Sequence, residues 1–323
     1  MPSAWSTAKM SAPSVWPRPA SRCTVCSPSP NCSNSVDRSS FLSAEDGTQI
    51  WYGTAGTGPA IVLCDGLACD GFIWPYVVDE FVNAHTIVRW HYRGHGQSDA
   101  PEDLSTLNIP QMARDLDAVL DALELDSAVL VGHSMGVQVI LEYYGLNPDR
   151  VAALVPICGS YKRPLDTLYN TDFFGHALPH LMRLVESVPE ASQTFWQTVV
   201  PSKFSYILSM ATAVNTRLAR GVDFIPYLEH VGDMDIRVFL TLLSAVAEHS
   251  AEDVLERVDA PALIIAGEKD ELTPLFRSEE MADQIADSEL IVLPGGTHVG
   301  PIELPELVNG AIEKFLRKVG LGT

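Results

Sequence analysis

The sequence predicts an α/β protein: a mostly parallel central sheet with helices on both faces, interrupted by one helical insertion. Three observations predict it. Short apolar runs such as "AIVLCD" and "ALIIAG" alternate with segments of helical period, and strands alternating with helices build βαβ units. Those runs are continuously apolar, as strands buried on both faces should be. Between residues 161 and 258 the alternation stops, and afterwards it resumes for two more strands.

Residues 1–40 stand apart. "SAPSVWPRPASRCTVCSPSPNCSNSVDRSS" is rich in Ser and Pro and follows neither period, which predicts a disordered extension. There Lys9, Arg18, Arg22 and Arg38 oppose Asp37 alone, so the acidity of the chain lies in the remainder. Cys23-x-x-Cys26 with Cys32 offers half a zinc site and no second half.

From Gln49 the elements follow in order. "TQIWYG" and "AIVLCD" read as strands, "IWPYVVDEFV" as a helix and "HTIVRWHY" as a strand. "NIPQMARDLDAVLDALEL" places Met112, Leu116, Val119, Leu120 and Leu123 on one helical face. "AVLVG" is a strand, "VQVILEYYGL" a helix and "VAALVPIC" a strand. The insertion is helical in flavour and holds Phe173, Phe174, Phe195, Trp196, Phe204, Tyr206, Phe224 and Tyr227. "ALIIAG" and "ELIVLP" complete the sheet, and "ELPELVNGAIEKFLRKV" closes the chain as a helix. The expected division is therefore a core from residues 41–160 and 259–323, with 161–258 inserted.

The bulk properties narrow the function. The chain has 323 residues, 46% of them hydrophobic, ample for one large core. A formal net charge of −20 repels phosphate backbones and anionic membranes, so neither nucleic acid nor membrane is an expected partner. No apolar run reaches the roughly 18 residues that span a bilayer, and no secretory signal pattern opens the chain. Six cysteines are too few for a disulfide scaffold, so a reducing, cytoplasmic compartment is expected.

Chemistry enters with "VLVGHSMGV". Gly132-His133-Ser134-Met135-Gly136 follows a buried strand and precedes a helix, the context of a G-x-S-x-G elbow. Cβ atoms at 132 and 136 would clash in so tight a turn. The turn lifts the Ser134 hydroxyl to a helix N-terminus, where free N–H groups favour an oxyanion. A serine nucleophile needs a base, and the base an orienting carboxylate. Asp270 in "EKDELTP" and His298 in "GGTHVGP" each follow a strand, where parallel sheets place their sites. Glu268 and Glu271 compete with Asp270 but lack its combination of strand-end position and spacing before "LTP".

With "GHSMG", "GEKDELTP", "GGTHVGP", the "YRGHGQSDAP" loop and the "NPDRVAALV" link, residues 45 to 320 resemble the α/β-hydrolase fold family in its serine-nucleophile, esterase- and lipase-like branch. The resemblance implies Ser134 as nucleophile, His298 as general base then acid, and Asp270 as its orienter. It implies that the insertion is a helical cap, and that no metal or organic cofactor takes part. Haloalkane dehalogenases and epoxide hydrolases of this fold carry Asp at the nucleophile position. The oxyanion hole is expected from two backbone N–H groups, Met135 and Leu67. This reading also covers "LCDGLACDG", whose paired thiols and carboxylates otherwise suggest a metal or redox site.

Two positions depart from the family. Asp65 replaces the usual His of His-Gly-x before Gly66, and His91 replaces the usual Asp of Asp-x-Arg-Gly-x-Gly. Either the two exchanged types face each other and hydrogen-bond, or both are unrelated, partly solvated loop residues. Gly66, Gly132 and Gly136 support the site in either case. The expected activity is cleavage of an ester-like bond in a small, largely apolar molecule through an acyl-enzyme. The same triad also serves carbon–carbon bond hydrolases, lactonases, acyltransferases and cofactor-free perhydrolases. A ligand-binding receptor and a non-catalytic interaction protein are the other classes.

Overall fold

The computed structural model describes residues 38–166, 173–212, 214–219 and 221–322. Eight strands form one sheet: β1 (Arg38–Ser43), β2 (Gln49–Ala55), β3 (Ala60–Cys64), β4 (Thr86–Trp90), β5 (Ala128–His133), β6 (Val151–Ile157), β7 (Ala262–Gly267) and β8 (Ser288–Leu293). Their order is β1-β2-β4-β3-β5-β6-β7-β8. β1 and β2, and β2 and β4, pair antiparallel; every other pair is parallel. The order reverses about β3, so the loops after β3 and β5 flank the switch point where open α/β sheets hold ligands.

Helices α1 (Pro75–Phe81), α2 (Ile109–Ala122) and α3 (Met135–Leu146) connect the first parallel strands. α4 (Phe173–Ser187), α5 (Pro189–Val199), α6 (Lys203–Thr212), α7 (Ile225–Asp233), α8 (Ile236–Glu248) and α9 (Glu252–Leu255) all lie between β6 and β7. α10 (Leu275–Gln284), α11 (Gly300–Glu303) and α12 (Pro305–Lys318) follow. Among the described residues no helix is long and apolar enough to cross a membrane.

The two-residue period of β3 divides the core. Val62 and Cys64 pack on one face with Leu116 of α2 and Ile140 of α3. Ile61 and Leu63 pack on the other with Phe81 of α1 and Phe315 of α12. All residues of β3, β5 and β7 are buried, which accounts for their continuously apolar sequences. On α2, Met112, Leu116, Val119 and Leu120 are buried as the period predicts, and Asn108 caps the first turn by accepting from the Gln111 N–H at 2.9 Å. Leu165, Leu178, Val185, Ile236 and Leu240 form a separate small cluster within the inserted region.

Two elements differ from the sequence reading. β1 begins at Arg38, inside the segment expected to be an extension. It is an edge strand with little buried, so its sequence carries almost no apolar signal. Residues 1–37, with Cys23, Cys26 and Cys32, lie outside the described residues. α10, "LFRSEEMADQ", was not anticipated because it buries only Ser278 and Met281.

Candidate active site

The site grows from the end of β5. Ser134 has φ 55° and ψ −116°, a conformation that costs a non-glycine residue free energy and persists only where the surrounding structure fixes it. Close packing forces the flanking glycines. A Cβ on Gly132 would lie 2.5 Å from the Gly136 carbonyl oxygen, and one on Gly136 would lie 2.2 Å from the Cys64 carbonyl oxygen. Gly136 therefore also lets α3 approach the end of β3, which brings the loop after β3 beside Ser134. A Cβ on Gly66 would stand 3.2 Å from that of Ser134.

Ser134, His298 and Asp270 come together in one hydrogen-bonded line. His298 Nε2 is 2.8 Å from Ser134 Oγ, and His298 Nδ1 is 2.9 Å from Asp270 Oδ2. A carboxylate only accepts, so Nδ1 carries the proton and Nε2 presents its lone pair to the serine. Asp270 is buried, and its carboxylate is fully engaged. Oδ1 accepts from the Leu272 and Thr273 N–H groups, each at 2.9 Å, and Oδ2 also accepts from Thr273 Oγ1 at 2.8 Å. That explains the spacing before "LTP". Its competitor Glu268 instead accepts from the Gly295 N–H at 2.7 Å, and Glu271 is exposed.

Two further residues hold the histidine loop. His133 donates from Nε2 to the His298 carbonyl at 2.8 Å, and burial lowers its pKa to about 3, so the ring stays neutral. Glu303 accepts from the Thr297 N–H and the Asn215 N–H, each at 2.6 Å, and from Thr297 Oγ1 at 2.7 Å. Sequence reasoning passed over Glu303, since nothing local distinguishes it from other acids of the C-terminal segment.

Leu67 and Met135 lie beside Ser134 along the same cavity, and among the described residues neither N–H has an acceptor within the protein. The loop carrying Leu67 is pinned from several sides. Ala68, with φ 55°, donates its N–H to His95 Nε2 at 3.0 Å, while His95 Nδ1 donates to the Arg93 carbonyl at 3.1 Å. Tyr92 donates its hydroxyl to the Asp65 carbonyl at 3.0 Å. Arg93, fully buried, is clamped by both oxygens of Asp115 at 2.7 Å and by Asp46 at 2.8 Å.

Asp65 and His91 do not pair, and they are not solvated either. Asp65 is buried and accepts from Trp74 Nε1 at 2.7 Å and from the Gly71 N–H. Burial outweighs those bonds and pushes its pKa up to about 8. His91 is buried against Trp51, with ring centroids 4.2 Å apart. Its Nδ1 accepts from the Gln97 N–H at 2.9 Å, its ring donates to the Asp70 backbone, and burial lowers its pKa to about 4. Each of the exchanged residues found a partner nearer its own depth. The residues of that loop that reach the Leu67 segment are Tyr92 and His95.

A cavity of about 390 Å³ opens over Ser134 and His298. Leu67 and Phe72 from the core, Leu165, and Phe224, Leu243 and Val246 from the inserted region give it a largely apolar wall. Of the insertion's aromatics, Phe224 and Tyr227 line it, whereas Phe195 and Phe204 are 66% and 70% exposed. Trp196 packs on Phe239 and donates to the Val231 carbonyl. The side chains of Phe173 and Phe174 lie outside the described residues. Burial pushes the Cys64 thiol up to about 12 and Cys69 well above its usual value, so both stay protonated. Among the described residues no three His, Cys, Asp or Glu side chains cluster as metal ligands would.

Comparison with known proteins shows the family. A family model described as alpha/beta hydrolase fold matches residues 59–305. The chain is 26% identical to the "Putative carbamate hydrolase RutD" of Caulobacter sp. (strain K31), over 83% of this chain and 94% of that protein. It is 23% identical to 3-oxoadipate enol-lactonase 2 of Acinetobacter baylyi, over 86% of this chain and 96% of that protein. Among solved structures, a thermophilic esterase from Thermogutta terrifontis shares the fold with TM-score 0.72 and 23% identity, covering 87% of this chain and 99% of that one.

Proposed function

We propose that this chain, which belongs to the alpha/beta hydrolase fold family, is a serine hydrolase that cleaves an ester-like bond of a small, largely apolar molecule. The observation that carries the proposal is the line Ser134–His298–Asp270, with contacts of 2.8 and 2.9 Å, whose Ser134 and His298 line an apolar cavity.

In this reading His298 Nε2 takes the Ser134 proton as Oγ attacks the carbonyl carbon. Asp270, fixed by three other donors, holds the imidazole in the tautomer that can accept and stabilises the imidazolium. The Leu67 and Met135 N–H groups receive the oxyanion, and the N-terminal end of α3 adds its dipole. His298 returns the proton to the leaving alcohol, then activates water against the acyl-enzyme. The helices between β6 and β7 act as a cap, since their side chains supply much of the cavity wall. A lactone is a second reading of the same chemistry, favoured by the enol-lactonase among the relatives; ring opening would leave acid and alcohol in one product.

The test is the parent protein beside Ser134→Ala on p-nitrophenyl esters of two to eight carbons. The parent should turn over the short and medium esters, and the variant should lose on the order of 10³-fold or more in kcat. Equal rates in both, or no turnover by the parent across the panel, would remove the proposal.

A further inference from the structure

We infer that Gln138 sets specificity: its side-chain oxygen accepts a hydrogen bond from a hydroxyl or N–H group carried by the substrate. The inference rests on the serine-hydrolase reading for the position of the reacting bond. Gln138 lies one turn into α3 from Ser134, the residue that caps that helix. It is 1% exposed and lines the cavity together with Val246.

Its amide is half used. Nε2 donates to the carbonyls of Val246, at 3.2 Å, and His249, at 3.3 Å, at the C-terminal end of α8. Both partners only accept, which settles which end of the amide is nitrogen. Oε1 is left buried with no partner. Buried polar groups are rarely left so, and the exceptions need a reason. A ligand that completes the pair supplies one.

His133 Nδ1 is likewise buried without a partner and, with Nε2 donating, only accepts, but it stands against Gly66 of the loop after β3, whose Cβ position is 3.1 Å away. The remaining polar side chains of the wall do not offer the same selection. The Ser160 hydroxyl is spent on the Lys162 carbonyl at 2.6 Å, and that of Thr273 on Asp270. The hydroxyls of Ser209 and Tyr227 carry no hydrogen bond within the protein among the described residues, but a hydroxyl both donates and accepts. The Gln138 oxygen only accepts. It favours a donor, and it leaves an ether or methyl group in the same place unpaired. The substrate class is therefore an ester or lactone bearing a hydroxyl or amide N–H on an otherwise apolar body.

The experiment uses matched compounds: p-nitrophenyl esters of 3-hydroxybutanoate and 6-hydroxyhexanoate, and the 4-hydroxybutyl ester of butanoate, each beside its methoxy analogue. At least one hydroxyl compound should exceed its methoxy partner in kcat/KM by about tenfold or more. In Gln138→Met that ratio should fall to near one, with the fold checked by circular dichroism. Methoxy compounds that match or beat their hydroxyl partners in every series overturn the inference, as does a preference that survives in Gln138→Met. If that variant does not fold, the comparison within the parent decides. The serine-hydrolase reading fails separately: with no turnover by the parent, calorimetric Kd values on Ser134→Ala carry the same comparison and the same tenfold criterion.

Discussion

Replacing His95 by Phe is expected to cost far more activity than replacing His91 by Phe, although both histidines are buried in one loop. In His95→Phe the ring can no longer accept the Ala68 N–H or donate to the Arg93 carbonyl. Both groups sit in the interior beneath the Leu67 loop. An orphaned buried polar group costs about 1–3 kcal/mol, so with two of them stability should drop by roughly 2–6 kcal/mol. The Ala68 N–H adjoins the Leu67 N–H, and loss of one oxyanion donor costs about 10²–10³ in kcat. Partial displacement should then lower kcat by roughly 30- to 100-fold.

His91→Phe provides the contrast. It frees the N–H of Gln97, which is exposed, and its bond at Asp70, which is half-buried, so water replaces both partners. A phenyl ring can keep the stack on Trp51. The expected loss is about 1 kcal/mol in stability and less than about threefold in kcat. Urea midpoints and kcat on p-nitrophenyl butanoate measure both variants. A folded His95→Phe that keeps kcat within threefold of the parent refutes the anchoring role. Equal losses in the two variants refute it as well, because the effect would then be general loosening.

Stability should fall on mild acidification. His91, His95 and His133 have folded pKa values of about 4, 3 and 3, below the ordinary 6.5. The unfolded chain therefore takes up protons first, so their contribution is full above pH 6.5 and drains as pH falls through 4 and 3, by roughly 2 kcal/mol per histidine at pH 5. Asp65 runs the other way: raised to about 8, it contributes fully below pH 3.8 and loses that contribution as pH rises through 8. Three histidines against one carboxyl make the net change acid-destabilising, so urea midpoints should peak between pH 6 and 7; a midpoint unchanged or higher at pH 5 contradicts this. Gly136→Ala should abolish activity or folding, since its Cβ would meet the Cys64 oxygen at 2.2 Å. Gly310→Ala, in α12 with nothing within 4 Å, should raise stability by about 0.5–1 kcal/mol; thermal melts that reverse this order would refute the packing argument.

What the sequence disclosed, and what it hid, follows from the range of the contacts. Ser134 and its glycines are specified within five residues, so the pattern alone carries the turn. Asp270 announces itself through "LTP", because Leu272 and Thr273 are its own hydrogen-bond donors. The strands of the interior are legible because burial on both faces demands continuous apolar sequence, whereas β1 and α10, which bury little, are not. The groups that hold the loops have no local signature. Ala68 and His95 are 27 residues apart, Asn215 and Glu303 are 88 apart, and His133 and His298 are 165 apart.

That Asp65 and His91 neither pair nor stand in solvent, the two alternatives the sequence left open, follows from the same distinction. Two positions had exchanged residue types, and exchange suggested that one contact had been kept with its roles reversed. A buried polar group, however, requires some partner, not a particular one. Trp74, nine residues along the chain, satisfies the Asp65 carboxyl, while the Gln97 N–H and the face of Trp51 satisfy His91. The task of fixing the Leu67 loop then passes to whichever side chain presents an unprotonated nitrogen to the Ala68 N–H. His95 can do so because burial holds its pKa near 3. A protonated ring would donate from both nitrogens and lose that acceptor, so the burial that makes His95 costly to charge is also what keeps the loop in place.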